Sequence, residues 1–295
     1  MEPMTYEQWQ RRQLRRRFST VGWILLVYYL IMNVAVFFAA FAEIIITMMK
    51  EFSTGNFGGF PESAVSNVTG GWGYILASVT GLLILLFWKK PRYWKDEIWA
   101  RGKPMTVGSF FGILCIFLSG QSVYQIMTTS AELLLNTFGL TMMDGLAAMN
   151  MGMDRFDMFL YIGILAPITE EILFRGLIQR TLLPYGKKFA IFCSAFVFGL
   201  YHGNLLQSPY AFLVGLVLGY TAAEYSVAWA MVLHMINNLV IADMLTRLTA
   251  GMSEMAAGVV LYVVIGIFTV AAIVIAIIRR REIGAYLRQE RMIGL

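Results

Sequence analysis

Charge is scarce in this chain. Only 14% of its 295 residues are charged, against about 25% in an average soluble domain. With 58% hydrophobic residues and a positive mean hydropathy, that shortage excludes an ordinary water-soluble globule. It points to an all-α, polytopic membrane protein, and the length suits one helical bundle rather than several folded domains. Cysteine is also nearly missing. Cys115 and Cys193 each lie within an apolar run, so they read as buried small apolar groups, not as a disulfide pair or a metal site. Internal repeats and low-complexity segments are absent. The net charge of +5 is no nucleic-acid signal, because the basic residues cluster at the flanks of apolar runs.

A membrane span needs about 20 apolar residues. The pattern predicts helices near 21–48, 71–88, 105–130, 157–182, 187–203, 208–224, 226–248 and 255–278. The start looks like a signal peptide, with "RRQLRRR" before the first apolar run and Ala40-Phe41-Ala42 at its end. The run from Val21 to Ala42 is longer than a secretory core of about 7–15 residues, so an uncleaved first helix is expected. Basic residues then set the orientation. Five arginines precede the first helix and six basic residues fill "KKPRYWKDEIWARGK". Arg180, Lys187 and Lys188 flank the turn after the fourth helix, and five more arginines lie in "RRREIGAYLRQER". The opposite loops hold only Lys50, Arg155 and Arg247. That alternation predicts eight spans in the cell membrane, with both termini cytoplasmic.

Two segments are not spans. Residues 50–70 are rich in Gly, Ser and Asn and read as an outer loop. Residues 131–154, amphipathic and rich in methionine, read as an interfacial helix or as an adaptable apolar surface for a substrate helix. The expected organisation is 1–156 for the tail, three helices and this outer segment, 157–248 for a catalytic core, and 249–295 for the last span and basic tail.

Against this apolar background, "PITEEILFRG" at 167–176 is the anomaly. Ionisable groups inside a span are costly, face the bundle interior and mark function. Glu171 and Arg175 are i,i+4 neighbours and can pair. Glu170 is rotated by about 100° and points to another neighbour, which leaves it available for proton chemistry. Both histidines of the chain, His202 in "FVFGLYH" and His234 in "AMVLHMINN", lie in apolar helices. Asn238 follows His234 by one turn. Polar groups in hydrocarbon need partners, and these can meet. Pro167, one turn before the glutamates, should kink its helix and open space for water. Gly215 and Gly219 form a GxxxG suited to close helix packing.

The chain contains no HExxH, no GxSG and no GxGD. The signatures of a site-2-type zinc protease, a rhomboid-type serine protease and a presenilin-type aspartyl protease are thus missing. A glutamate and two histidines remain. An apolar setting disfavours the charged carboxylate and makes it a better base near neutral pH. Imidazole can hold water, bind a metal or donate to an oxyanion, and Asn238 can donate to one as well. These are the parts of a water-activating hydrolase.

"EEILFR" at 170–175 matches EExxxR, "FGLYH" at 198–202 matches FxxxH and "HMINN" at 234–238 matches HxxxN. In this order and placement the chain resembles the CAAX protease and bacteriocin-processing (ABI) family of intramembrane endopeptidases, in particular CAAX prenyl endopeptidases. The resemblance covers residues about 157–240. It implies that Glu170 activates water, that His202 helps to hold it, that His234 and Asn238 stabilise the oxyanion, and that Glu171 and Arg175 support them. It further implies a lipidated or membrane-embedded peptide substrate. If zinc is bound, its ligands would be His202, His234 and Glu170. Glu171 would then have to act as base, although its position favours Arg175. The ligand count therefore leans toward a mechanism without a cofactor. Two other functions remain open. One is a non-enzymatic bacteriocin-immunity or scaffold protein. The other is a proton-coupled transporter, which the lack of inverted repeats and matched broken helices disfavours.

Overall fold

The computed structural model describes residues 5–55, 71–142, 155–203 and 205–289. Its elements are all helical, with no strand among the described residues. The chain divides into two compact units, Met1–Trp94 with Met153–Thr169, and Lys95–Gly152 with Glu170–Leu295.

In the first unit, α1 runs from Tyr6 to Ser53, 48 residues. A capping box starts it: Gln8 N donates to Thr5 Oγ1 at 3.3 Å, and Thr5 N donates to Gln8 Oε1 at 3.0 Å. The helix begins well before the expected residue 21. The arginines and glutamines of "QWQRRQLRRR" are good helix formers, so the basic stretch continues the helix instead of forming a separate tail. At a rise of about 1.5 Å per residue, α1 is longer than a bilayer core of about 30 Å requires. Helix α2, Gly71–Trp88, packs along α1. Gly81 allows the approach, since a Cβ there would lie 2.7 Å from the Tyr28 ring. Tyr74 of α2 stacks on Tyr161 with ring centres 5.1 Å apart.

The stretch expected as one regular helix over 157–182 is helical throughout but changes register. We call it α4. It comprises Phe156–Leu160, a π segment Tyr161–Leu165, Ala166–Glu171, a second π segment Ile172–Gln179, and Arg180–Leu182. Pro167 lacks an N–H, so the regular hydrogen-bond ladder cannot pass through it unchanged.

In the second unit, α3 spans Val107–Asn136, capped where Ser109 N donates to Thr106 Oγ1 at 3.1 Å. Residues 131–136, expected to open a separate outer segment, continue α3. The rest of that segment from 143 on, and the outer loop from 56 to 70, lie outside the described residues. Helix α5 covers Lys187–Tyr201 and α6 covers Gln207–Glu224. Helix α7 starts at Val227–Ile236, widens into a π segment Asn237–Met244 and closes with Leu245–Thr249. Helix α8 is Glu254–Ile278 and α9 is Arg280–Gln289. Helices α5 and α6 pack against each other, as do α3 and α8. Gly199 permits the first contact, because a Cβ there would come within 2.8 Å of the Ser208 carbonyl oxygen.

Among the described residues, three helices are long and apolar enough to cross a membrane: Tyr6–Ser53, Val107–Asn136 and Met255–Ile278. Gly71–Phe87 and Val227–Val240 are apolar but shorter. Large aliphatic and aromatic side chains lie exposed along the three long helices, among them Phe37, Ile46, Phe111, Ile126, Val259 and Ile267. Apolar surface this extensive marks contact with lipid or another apolar phase.

Candidate active site

The second half of α4 is the buried centre of its unit. Leu173, Phe174, Arg175, Leu177 and Ile178 are all fully enclosed, and Glu171 is equally buried. A buried charge needs a partner and hydrogen bonds. Arg175 has both. Its Nη1 donates to Glu171 Oε1 at 3.0 Å, and its Nη2 donates to the Gly215 carbonyl at 3.1 Å. The guanidinium also lies over the Phe198 ring, 4.3 Å from its centre. One turn further along, Gln179 Nε2 donates to the Gly219 carbonyl at 2.9 Å.

This explains the GxxxG of α6. A Cβ on Gly215 would sit 3.2 Å from Arg175 Nη2, and one on Gly219 would sit 2.9 Å from Gln179 Oε1. The small residues bring the α6 backbone within reach of two polar side chains of α4. The packing thus has a polar component that the motif alone does not reveal.

Glu171 Oε1 takes a second contact, to His234 Nδ1 at 3.0 Å. A carboxylate oxygen accepts, so Nδ1 carries the proton of this bond. The other ring nitrogen, Nε2, lies 3.9 Å from Glu170 Oε2. One imidazole therefore stands between two carboxylates from adjacent positions of α4. Glu170 is partly accessible, its side chain 17% exposed, whereas that of Glu171 is sealed. Glu171 Oε2 and Arg175 Nε find no hydrogen-bond partner among the described residues.

His202 is the C-cap residue of α5. Gly203 follows with φ +61° and turns the chain out of the helix, a conformation that glycine adopts without strain. His202 Nδ1 contacts the Phe198 carbonyl at 2.8 Å. A carbonyl only accepts, so Nδ1 holds the proton, and in the neutral ring Nε2 presents a lone pair. Phe198 links the histidines, with ring centres 4.7 Å from His202 and 5.9 Å from His234, both edge-on. His202 joins the group through this ring and forms no hydrogen bond to either glutamate among the described residues.

Asn238 sits in the π segment of α7, beside a network that sequence reasoning missed. Its Oδ1 accepts from Asn237 Nδ2 at 3.1 Å. Asn237 Oδ1 in turn accepts from Tyr210 Oη at 3.0 Å and from Gln121 Nε2 at 3.2 Å. Gln121 also donates to the Tyr210 hydroxyl. The available signal was Gln121 itself, an amide in the stretch "SGQSVYQ" midway along α3.

The zinc set left open by the sequence is not assembled. Among the described residues, no three of His, Cys, Asp and Glu converge closely enough to hold a metal ion. His234 Nε2 lies 3.9 Å from Glu170 Oε2 and His234 Nδ1 is held by Glu171, while His202 meets the Phe198 carbonyl, which does not fit the closely placed ligands that zinc requires.

Residues 154–240 match a family model described as Rce1-like, type II CAAX prenyl endopeptidase. The match covers less than half of the chain and contains all three motifs. It bears out the resemblance read from them. Neither a curated protein nor a solved structure matches the chain.

Proposed function

We propose that the protein is an intramembrane endopeptidase that hydrolyses a peptide bond in a lipidated, CAAX-like or membrane-embedded peptide. In this reading it crosses the membrane eight times with both termini cytoplasmic, and the stretch 157–248 is its catalytic core. The observation that carries the proposal is the His234 imidazole held between the two glutamates, 3.0 Å from Glu171 and 3.9 Å from Glu170.

Glu170 is the base. It is the more accessible carboxylate and, unlike Glu171, is not neutralised by Arg175. It takes a proton from water as the water oxygen attacks the scissile carbonyl carbon. His202 Nε2 accepts the hydrogen bond of the second water proton and so fixes the direction of attack. The carbonyl oxygen becomes an oxyanion, which the Asn238 amide stabilises by donating a hydrogen bond. His234 donates from Nε2 only when both ring nitrogens are protonated, because Nδ1–H is given to Glu171. In that state Glu170, Glu171, Arg175 and His234 carry two negative and two positive charges, a balanced set in a low-dielectric site. On collapse of the intermediate, the C–N bond breaks and Glu170 returns its proton to the leaving amine.

Glu171 and Arg175 position the ring and do not touch the substrate. The test is cleavage of a farnesylated CAAX peptide and of the same peptide without its lipid, by protein reconstituted in vesicles. Product release by the wild type and its loss in Glu170→Gln support the proposal. Release that is equal in both, or no release from either peptide, overturns it.

A further inference from the structure

A cavity of about 540 Å³, with neither Glu170 nor Glu171 in its lining, opens where α3 begins, α6 ends and α8 passes into α9. This is within the usual size of small-molecule sites, about 300–1,000 Å³. Its walls and rim differ in chemistry. Ile113 and Ile116 of α3, Ile275 of α8 and Ile283 of α9 give it apolar walls, beside Tyr220, Tyr225 and Tyr286. Lys103, Arg279 and Glu282 also line it, with 70%, 52% and 74% of their side-chain surfaces exposed.

Two features keep the space open. Gly108 and Gly112, one turn apart on α3, line the cavity, and a Cβ added to either meets nothing within 4 Å. The loop carrying Lys103 is pinned from below. Lys103 N donates to the Glu224 carbonyl at 2.8 Å, and Gly102 N donates to the Tyr225 carbonyl at 2.6 Å. These bonds hold the start of α3 against the end of α6.

The rim has surplus positive charge. Glu224 lies 2.7 Å from Lys103 Nζ and 2.7 Å from Lys187 Nζ, so one carboxylate serves two ammonium groups. Arg279 has Glu282 only at 3.9 Å, and Arg280 and Arg281 follow it, exposed. The aliphatic wall would gain nothing from a small free anion, and a neutral hydrocarbon would gain nothing from the rim. An amphiphile with a phosphate head and an acyl tail satisfies both. The cavity also lies at the ends of two candidate spans, Val107–Asn136 and Met255–Ile278, at the level where lipid head groups meet water.

We propose that this cavity binds an anionic phospholipid, its phosphate against Lys103 and Arg279 and the first part of one acyl chain against Ile113, Ile116 and Ile275. Basic pockets between spans are suited to acidic head groups. This assignment is independent of the proteolytic reading, because none of its residues belongs to the three motifs.

The test is lipid retention on the full chain in nanodiscs containing equal amounts of phosphatidylglycerol and phosphatidylcholine, read by native mass spectrometry. The wild type is expected to retain phosphatidylglycerol preferentially. The double variant Lys103→Gln/Arg279→Gln should reduce that preference by at least about fivefold, the worth of one basic side chain near an anionic surface. Gly112→Phe, which fills the cavity without changing charge, should lower retention of phosphatidylglycerol as well. Because Lys103 also holds Glu224, Arg279→Gln alone decides the charge arm if the double variant does not fold. No preference in the wild type, or an unchanged preference in the charge and cavity variants, overturns the proposal. So does inorganic phosphate that displaces the retained lipid, since the occupant would then be a free anion.

Discussion

His234 Nδ1 lies 3.0 Å from the same Glu171 oxygen that accepts from Arg175. Arginine and histidine thus share one carboxylate atom, and the chemically adjacent Glu170 is left facing the other edge of the ring. Two neighbouring glutamates acquire different jobs from this arrangement, and substitutions should separate them.

Glu170→Gln keeps shape and removes the base, so turnover should fall by about 10²–10⁴-fold with an unchanged melting temperature. Glu171→Gln leaves Arg175 buried with no counter-charge, which costs about 3–5 kcal/mol when one member of a buried pair is lost. That variant should lose stability as well as turnover. Identical melting curves for the two would refute the division of roles.

The Gly219 contact gives a packing prediction. A methyl group there meets Gln179 Oε1 at 2.9 Å and Ile191 Cγ2 at 3.0 Å. Gly219→Ala should destabilise the protein by about 1–3 kcal/mol through overpacking. A methyl group added at Gly266 of α8 meets nothing within 4 Å, so Gly266→Ala should be close to neutral in the same unfolding assay.

The asparagine network predicts a kinetic effect without a binding effect. Gln121 and Tyr210 both donate to Asn237, which in turn donates to Asn238. Gln121→Leu removes one donor and loosens the asparagine pair. We expect kcat to drop by about tenfold with KM nearly unchanged, because an oxyanion donor acts mainly in the transition state. An increase in KM with kcat intact would place Gln121 in substrate binding instead.

These residues also show what could and could not be read from the chain. The pairing of Glu171 with Arg175 was legible because i,i+4 spacing is local. Its second partner, His234, is 63 positions away, and nothing in a helical wheel connects them. The helix positions were legible from hydropathy, since burial and lipid contact both demand apolar runs. The π segments were not, because the widened register around Ile172–Gln179 and Asn237–Met244 leaves no compositional trace. These two carry the site residues Arg175 and Asn238, in keeping with the frequent use of π-bulges at functional sites, whereas the π segment Tyr161–Leu165 carries none. Gln121 escaped notice for a similar reason. Gln121 lies among other polar residues in "SGQSVYQ", so nothing local singles it out, and its meaning depends on a helix more than a hundred residues later.

Topology follows from charge rather than contacts. In the proposed arrangement the basic residues of the first turns of α1, of 89–103 and of the stretch after α8 lie on the cytoplasmic side, as the positive-inside rule expects. Reporter fusions at residue 60 and at residue 145 should therefore report the outer side. A cytoplasmic signal at either position would reject the eight-span arrangement.

The last prediction concerns metal. A catalytic zinc usually has three protein ligands and an open site for water. The candidate set here is His202, His234 and Glu170. His234 gives Nδ1 to Glu171 and turns Nε2 toward Glu170 at 3.9 Å, while His202 Nδ1 is tied to the Phe198 carbonyl at 2.8 Å. Among the described residues, no three of His, Cys, Asp and Glu converge closely enough to hold a metal ion. Using Glu170 as a ligand would also remove the base, because Glu171 is already held by Arg175. Peptide cleavage should therefore survive exhaustive chelation, with metal content measured on the same sample. Loss of activity that returns with zinc, at about one ion per chain, would show that Glu170 is a ligand and that the base lies elsewhere.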